Sequence, residues 1–205
     1  MRGREIFKIS KMNKLLVGVF VGLFIGVIIG IMVIKFAVGG ACPQDVCLSD
    51  SVIEISDEDY YIHVHNSLQN AKRSIHVVMF EIRYYPTYPE SHANQFLQDL
   101  VAAKKRGVDV RVIMEGGESY LGSEFTEKHE SVREYLEKGG VEVEFDQGNK
   151  TTHAKLIIID GKVVILGSTN WSYHGIDENH ETNVLITSKE LAEEFEEYFN
   201  KLWKE

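Results

Sequence analysis

Lys155-Leu156-Ile157-Ile158-Ile159-Asp160-Gly161-Lys162-Val163-Val164-Ile165-Leu166-Gly167 is a pair of β-branched runs broken by Asp-Gly, the dipeptide that most readily turns a hairpin. The two runs predict antiparallel strands. With Asp160 and Gly161 as the loop, Ser168 comes opposite His153 and Leu166 opposite Lys155; with the turn slid to Gly161-Lys162, Asn170 faces His153 and Ser168 faces Lys155. Because strand side chains alternate faces, either register leaves His153, Lys155, Ser168 and Asn170 on one side. Ile157 and Ile159 share that side, so the polar four gather at the strand ends, where apolar covering stops. A lone histidine or lysine on a strand marks only a solvent-facing position. Together they offer a nucleophile and three groups able to hold phosphoryl oxygens, which is chemistry suited to a phosphate ester.

The spacing His153-x-Lys155-x4-Asp160-x6-Gly167-Ser168-x-Asn170 resembles the HKD motif of the phospholipase D superfamily, with every fixed position filled. Glu181, in Asn179-His180-Glu181-Thr182-Asn183, stands where family members carry a glutamate that hydrogen-bonds the catalytic histidine. Upstream, Ala71 to Phe80 and Lys105 to Ile113 resemble the family's first two helix-strand units, so the likeness runs from about Ser56 to Trp203.

The resemblance implies a two-step reaction at a phosphodiester. His153 attacks phosphorus to give a phosphohistidine, and a second histidine protonates the leaving oxygen and then activates water. Lys155, Ser168 and Asn170 bind the substrate phosphate and stabilise its developing charge, while Glu181 fixes the tautomer of His153. Asp160 belongs to the motif, but its place at the turn gives it a structural role at least as readily as a catalytic one. The scheme needs no metal or other cofactor. One motif supplies one histidine, so the resemblance implies a homodimer with two copies of His153 meeting across a two-fold axis, as in the compact one-motif branch that includes bacterial endonucleases and mitochondrial cardiolipin hydrolases.

The N-terminus reads differently. Leu15 to Ile34 is 20 residues, all apolar or glycine, enough for one membrane-spanning helix. Within it Gly18, Gly22, Gly26 and Gly30 recur every four residues and predict a close helix-helix contact that agrees with a dimer; glycine is also simply common in membrane helices. Arg2, Arg4, Lys8, Lys11 and Lys14 precede the span against Glu5, and Lys35 follows it, which places the N-terminus in the cytoplasm and the rest of the chain outside. A signal peptide cleaved near Ala37-Val38-Gly39 is the competing reading. Cys42 and Cys47, the only cysteines, are spaced for a small disulfide loop in that oxidising location, and no further ligands lie close enough for a metal site. Lipidation of Cys42 is the weaker alternative.

The expected organisation is a basic segment 1–14, a transmembrane helix 15–34, a juxtamembrane linker 35–55 and one phospholipase D-like domain 56–205. Periodicity predicts α/β structure, with helices near 57–72, 91–105, 127–137 and 189–202 and strands near 75–82, 108–114, 141–145, 155–160, 163–166 and 183–187. Helix-strand alternation followed by a hairpin predicts a mixed sheet with helices on both faces. Arg83-Tyr84-Tyr85-Pro86-Thr87-Tyr88-Pro89 is an aromatic loop suited to a base or a lipid headgroup, or else packed on its own domain. His63, His65 and His76 read as structural, whereas His174 and His180 lie near the motif.

Charge bears on the partner. Residues 1–40 hold six of the 22 basic and one of the 31 acidic residues, so the remainder carries 16 against 30, a net charge near −14. Enzymes that grip long nucleic acids usually present a basic face. The expected function is therefore a phospholipase D-like hydrolase acting on phospholipid or a related phosphodiester. A membrane-anchored, metal-independent endonuclease is the second reading and a non-catalytic phosphate-binding scaffold the third.

Overall fold

In the computed structural model, residues 51–116, 122–146 and 150–203 are described. The expected transmembrane helix, its glycine stripe, the basic leader and the expected Cys42-Cys47 disulfide lie outside them. Among the described residues, no helix is long and apolar enough to cross a membrane.

The chain runs β1 (Ser51–Glu54), α1 (Glu58–Asn70), β2 (Ser74–Met79), α2 (His92–Lys105), β3 (Asp109–Glu115), α3 (Ser123–Lys138), β4 (Glu142–Asp146), β5 (Lys155–Ile159), β6 (Val163–Gly167), a π-helical turn (His174–Glu178), β7 (Asn183–Thr187) and α4 (Lys189–Leu202). The seven strands form one sheet in the order β1-β7-β6-β5-β2-β3-β4. β2, β3 and β4 are mutually parallel, each joined to the next by a helix, and the remaining pairings are antiparallel. The sheet is mixed, as helix-strand alternation ending in a hairpin requires.

Helices cover both faces unequally. Tyr60, Val64 and Leu68 of α1, Phe96, Leu97 and Leu100 of α2, and Val132 and Leu136 of α3 share the larger core with Ile75, Val77, Ile157 and Ile159. On the other face, Ala192 and Phe199 of α4 close over Val78, Ile113, Leu156, Ile158 and Val164. β5 is buried along its whole length, which is why its sequence is an unbroken apolar run after Lys155.

Three expectations need correction. The ladder pairs Ile159 with Val163 and Leu156 with Leu166, one residue away from both registers considered above. Asp160 and Gly161 do turn with positive φ, 56° and 58°, and the Lys162 N–H returns to the Ile159 carbonyl at 3.0 Å, but Lys162 is then an extra residue before pairing resumes. Second, Ser51–Glu54, within the supposed linker 35–55, adds an edge strand to β7; four residues are too short a run to leave much to read. Third, α3 starts at Ser123, ahead of the expected 127, and β2 ends at Met79, ahead of the expected 82. Past Met79 the chain leaves the ladder, Phe80 donating to the Ala154 carbonyl at 2.9 Å and Ile82 bridging Trp171.

Candidate active site

The motif gathers at one edge of the sheet, where β2, β3 and β6 end and β5 and β7 begin. Lys155 opens β5 opposite Met79, the last residue of β2, and Gly167 closes β6 opposite Asn183, the first of β7. His153 is exposed just ahead of β5, its ring against Phe80 with centroids 4.6 Å apart. Lys155 folds back on it. Its Nζ donates to the His153 carbonyl at 2.9 Å and stands 3.3 Å from both ring nitrogens. The ammonium also lies 4.9 Å from the centre of the Phe80 ring, a cation-π contact. Lys155 is only 8% exposed, and burial lowers its pKa, opposed by the carboxylates of Glu181 and Glu81. A partly desolvated cation beside an exposed imidazole is a seat for an anion.

Ser168 and Asn170 reach the same edge by another route. In the observed register, strand alternation alone would turn them away from His153, but β6 stops at Gly167. The Ser168 N–H then bonds the Thr182 carbonyl at 3.1 Å, and its hydroxyl donates to the Glu181 carboxylate. Among the described residues that carboxylate accepts from Ser168 and, at 3.0 Å, from Asn179, and not from the His153 ring. The pairing of β6 with β7 explains the difference, since it delivers the glutamate to the serine first. Asn170 is flanked by Trp171, whose N–H bonds the Glu81 carbonyl at 3.0 Å; its Oδ1 is buried with no partner among the described residues.

Asp160 stands apart, at the far end of β5. It accepts the backbone N–H groups of Lys72, Arg73 and Ser74 at 2.6 to 3.1 Å, and its own N–H donates to the Ser74 carbonyl at 2.9 Å. It fastens the hairpin turn to the start of β2.

Several supporting residues escaped the sequence reading. Thr152 gives its N–H to the buried Glu115 carboxylate at 2.6 Å and its hydroxyl to Asp146, which fixes the backbone immediately before His153. Asn183, 3% exposed, receives the Thr169 N–H at 3.3 Å and donates to the Thr169 hydroxyl at 2.8 Å. A Cβ on Gly167 would collide with Asn183 and the Thr182 carbonyl, so the motif glycine is a steric necessity. His129, wholly buried, accepts the Ile82 N–H at 3.3 Å and donates to the Glu115 carbonyl at 2.9 Å. That pattern fixes a neutral tautomer, and burial pushes its pKa down to about 4. No His-x-Lys-like spacing announces these residues.

Beyond the motif, Tyr85, Tyr88, Ser91, Tyr173 and His174 line a cavity of about 460 Å³, closed on one side where the Tyr173 N–H meets the Tyr85 hydroxyl at 3.0 Å. Of the histidines read as structural, His65 is held by Asp99 at 2.6 Å and His76 by Glu196 at 2.6 Å. His174 lines the tyrosine cavity, and His180 projects into solvent.

Such an edge sets an exposed imidazole beside a buried ammonium, with a serine-glutamate pair just past the paired ends of β6 and β7, in an α/β domain whose polar groups suit an anion. Residues 64–203 match the family described as "Cardiolipin synthase, PLD-like domain". The chain belongs to this phospholipase D-like family. It is 34% identical over 101 residues to the mitochondrial cardiolipin hydrolase of Canis lupus familiaris, covering 49% of this chain and 37% of that one. It is 35% identical over 96 residues to a phospholipase D of Rickettsia conorii, covering 47% and 44% respectively. The chain thus spans about two fifths of the length of these curated relatives. Among solved structures, the phospholipase D family member Nuc from Salmonella typhimurium superposes with a TM-score of 0.63 at 27% identity, covering 75% of this chain and 94% of that one.

Proposed function

We propose that the chain hydrolyses phosphodiester bonds, with phospholipid or a related small diester as substrate, through a phosphohistidine formed on His153 in an active site completed by a second copy of the chain. The carrying observation is the pairing of His153 with Lys155, whose ammonium stands 3.3 Å from both ring nitrogens while only 8% exposed. In the first step a nitrogen of His153 forms a bond to phosphorus as the P–O bond to the leaving alcohol breaks, and the His153 of the second copy protonates that alcohol. In the second step water, deprotonated by the same imidazole, displaces His153 and releases a phosphomonoester. Lys155, Ser168 and Asn170 stabilise the charge on the non-bridging oxygens. Glu181 holds Ser168 and adds a negative potential beside Lys155. The dimer follows from chemistry, since two histidines are required and each chain has one motif.

Three observations favour a lipid: the acidic balance of residues 41–205, the apolar run Leu15 to Ile34 that precedes the domain in the sequence, and relatives named cardiolipin hydrolase and phospholipase D. The tyrosine-lined cavity supports nucleic acid as a second reading, because every base offers a stacking face. The deciding experiment incubates the protein with labelled phosphatidylcholine, cardiolipin, single-stranded DNA and RNA in the presence of chelator, alongside His153→Ala. Turnover of lipid that persists with chelator and vanishes in His153→Ala is expected. Cleavage of nucleic acid alone overturns the lipid assignment, full activity in His153→Ala overturns the nucleophile, and a fully active monomer overturns the shared site.

A further inference from the structure

Asp57, just before α1, breaks two local rules at once. Its φ of 48° and ψ of −122° place it at the first central position of a type II′ turn, closed by the Asp59 N–H on the Ser56 carbonyl at 3.1 Å, where glycine normally stands. Among the described residues Asp160 is the only other non-glycine with positive φ. The ordinary reason for aspartate at a helix start is capping, yet the Asp57 side chain makes no cap hydrogen bond to α1. Its carboxylate is engaged elsewhere. Oδ1 accepts the Glu181 N–H at 2.8 Å, and Oδ2 lies 3.2 Å from the ring of His180. The backbone completes a two-way clamp, with the Asp57 N–H donating to the Glu181 carbonyl at 3.1 Å. The Glu181 amide is the leading cause holding the Asp57 carboxyl below its usual range.

Strain tolerated where glycine would relieve it, with the normal compensating bond absent, points to a role in the site. We propose that Asp57 is a positioning residue for Glu181. It seizes both backbone groups of the glutamate from the continuation of the neighbouring strand β1, so that the Glu181 side chain meets Ser168 at a fixed point beside Lys155. The proposal rests on the reading of Glu181 as part of a phosphodiester site.

The test uses the full chain with Asp57→Gly and Asp57→Asn, assayed on bis(4-nitrophenyl) phosphate, with His153→Ala as control. Glycine accepts the positive φ without strain but removes the acceptor of the Glu181 amide. Asparagine tolerates the same backbone and keeps a carbonyl there. Asp57→Gly is expected to melt close to the wild-type temperature, relief of the positive φ offsetting the lost bond, while kcat falls roughly ten- to a hundredfold with KM little changed, and Asp57→Asn to recover most of kcat. A purely structural residue would move stability and kcat together. Hydrogen exchange at the Glu181 amide gives a readout that needs no substrate: slow in the wild type and in Asp57→Asn, fast in Asp57→Gly. Wild-type kcat in Asp57→Gly overturns the proposal, as does equal impairment of both variants or an unprotected Glu181 amide in the wild type. A wild type that turns over no phosphodiester sinks the functional reading alone, and the exchange measurement still decides the clamp.

Discussion

Acid should weaken this fold in part through His129. The ring is buried, accepts the Ile82 N–H through Nε2 and donates from Nδ1 to the Glu115 carbonyl, so both nitrogens are committed in the neutral form. Its folded pKa is about 4 against an unfolded value of 6.5. The folded chain therefore binds this proton less readily than the unfolded one. Stability is complete above pH 6.5 and declines as pH falls towards 4. The gap of 2.5 units, at 1.36 kcal/mol each, corresponds to a loss of about 3 kcal/mol once both states are protonated, of which about 2 kcal/mol has gone by pH 5. Other groups titrate over the same range, so the useful comparison is with His129→Leu, which keeps them all. At pH 7.5 the leucine variant should be less stable by about 1–3 kcal/mol, since the Ile82 N–H has lost its acceptor. At pH 5 the wild type has forfeited most of that advantage, and the two stabilities should meet or cross. Urea unfolding of both proteins at pH 7.5, 6 and 5, followed by tryptophan fluorescence, measures the difference. A gap that stays constant across that range would refute a neutral His129 strut.

Two further substitutions separate structural from chemical roles within the motif. Asp160→Ala removes the acceptor of three backbone N–H groups and puts alanine at a φ of 56°, so a stability loss of about 3 kcal/mol is expected by denaturant titration, with the kcat of the remaining folded enzyme unchanged; a selective loss of kcat would return Asp160 to the chemistry. Lys155→Met should do the reverse, abolishing turnover while the melting temperature holds or rises, because burial disfavours the ammonium it removes. A melting point several degrees lower would show that Lys155 braces the fold.

The contrast between these residues explains what the sequence could disclose. The helices, the hairpin and the pairing of His153 with Lys155 rest on short-range regularities, alternation, turn chemistry and fixed spacing, and all three are visible along the chain. The ladder offset was not, because the same Asp-Gly turn can resume pairing at Lys162 or at Val163, and only packing against β2 and β7 selects between them. The bonds that went unread share a different property. Asp57 reaches the Glu181 amide across 124 residues, Asp160 reaches Lys72 across 88, Glu115 reaches Thr152 across 37 and Asn183 reaches Thr169 across 14. In each case a polar side chain binds a backbone amide. A salt bridge or a metal site leaves two complementary side chains to be matched, but every residue except proline carries the same N–H. No pattern of residue pairs records such a bond. That is why the sequence left Asp160 between a turn and a catalytic role until its bonds to Lys72, Arg73 and Ser74 place it at the turn, and why the aspartate that best fits a role in placing Glu181 lies at a helix start where capping alone would have accounted for it.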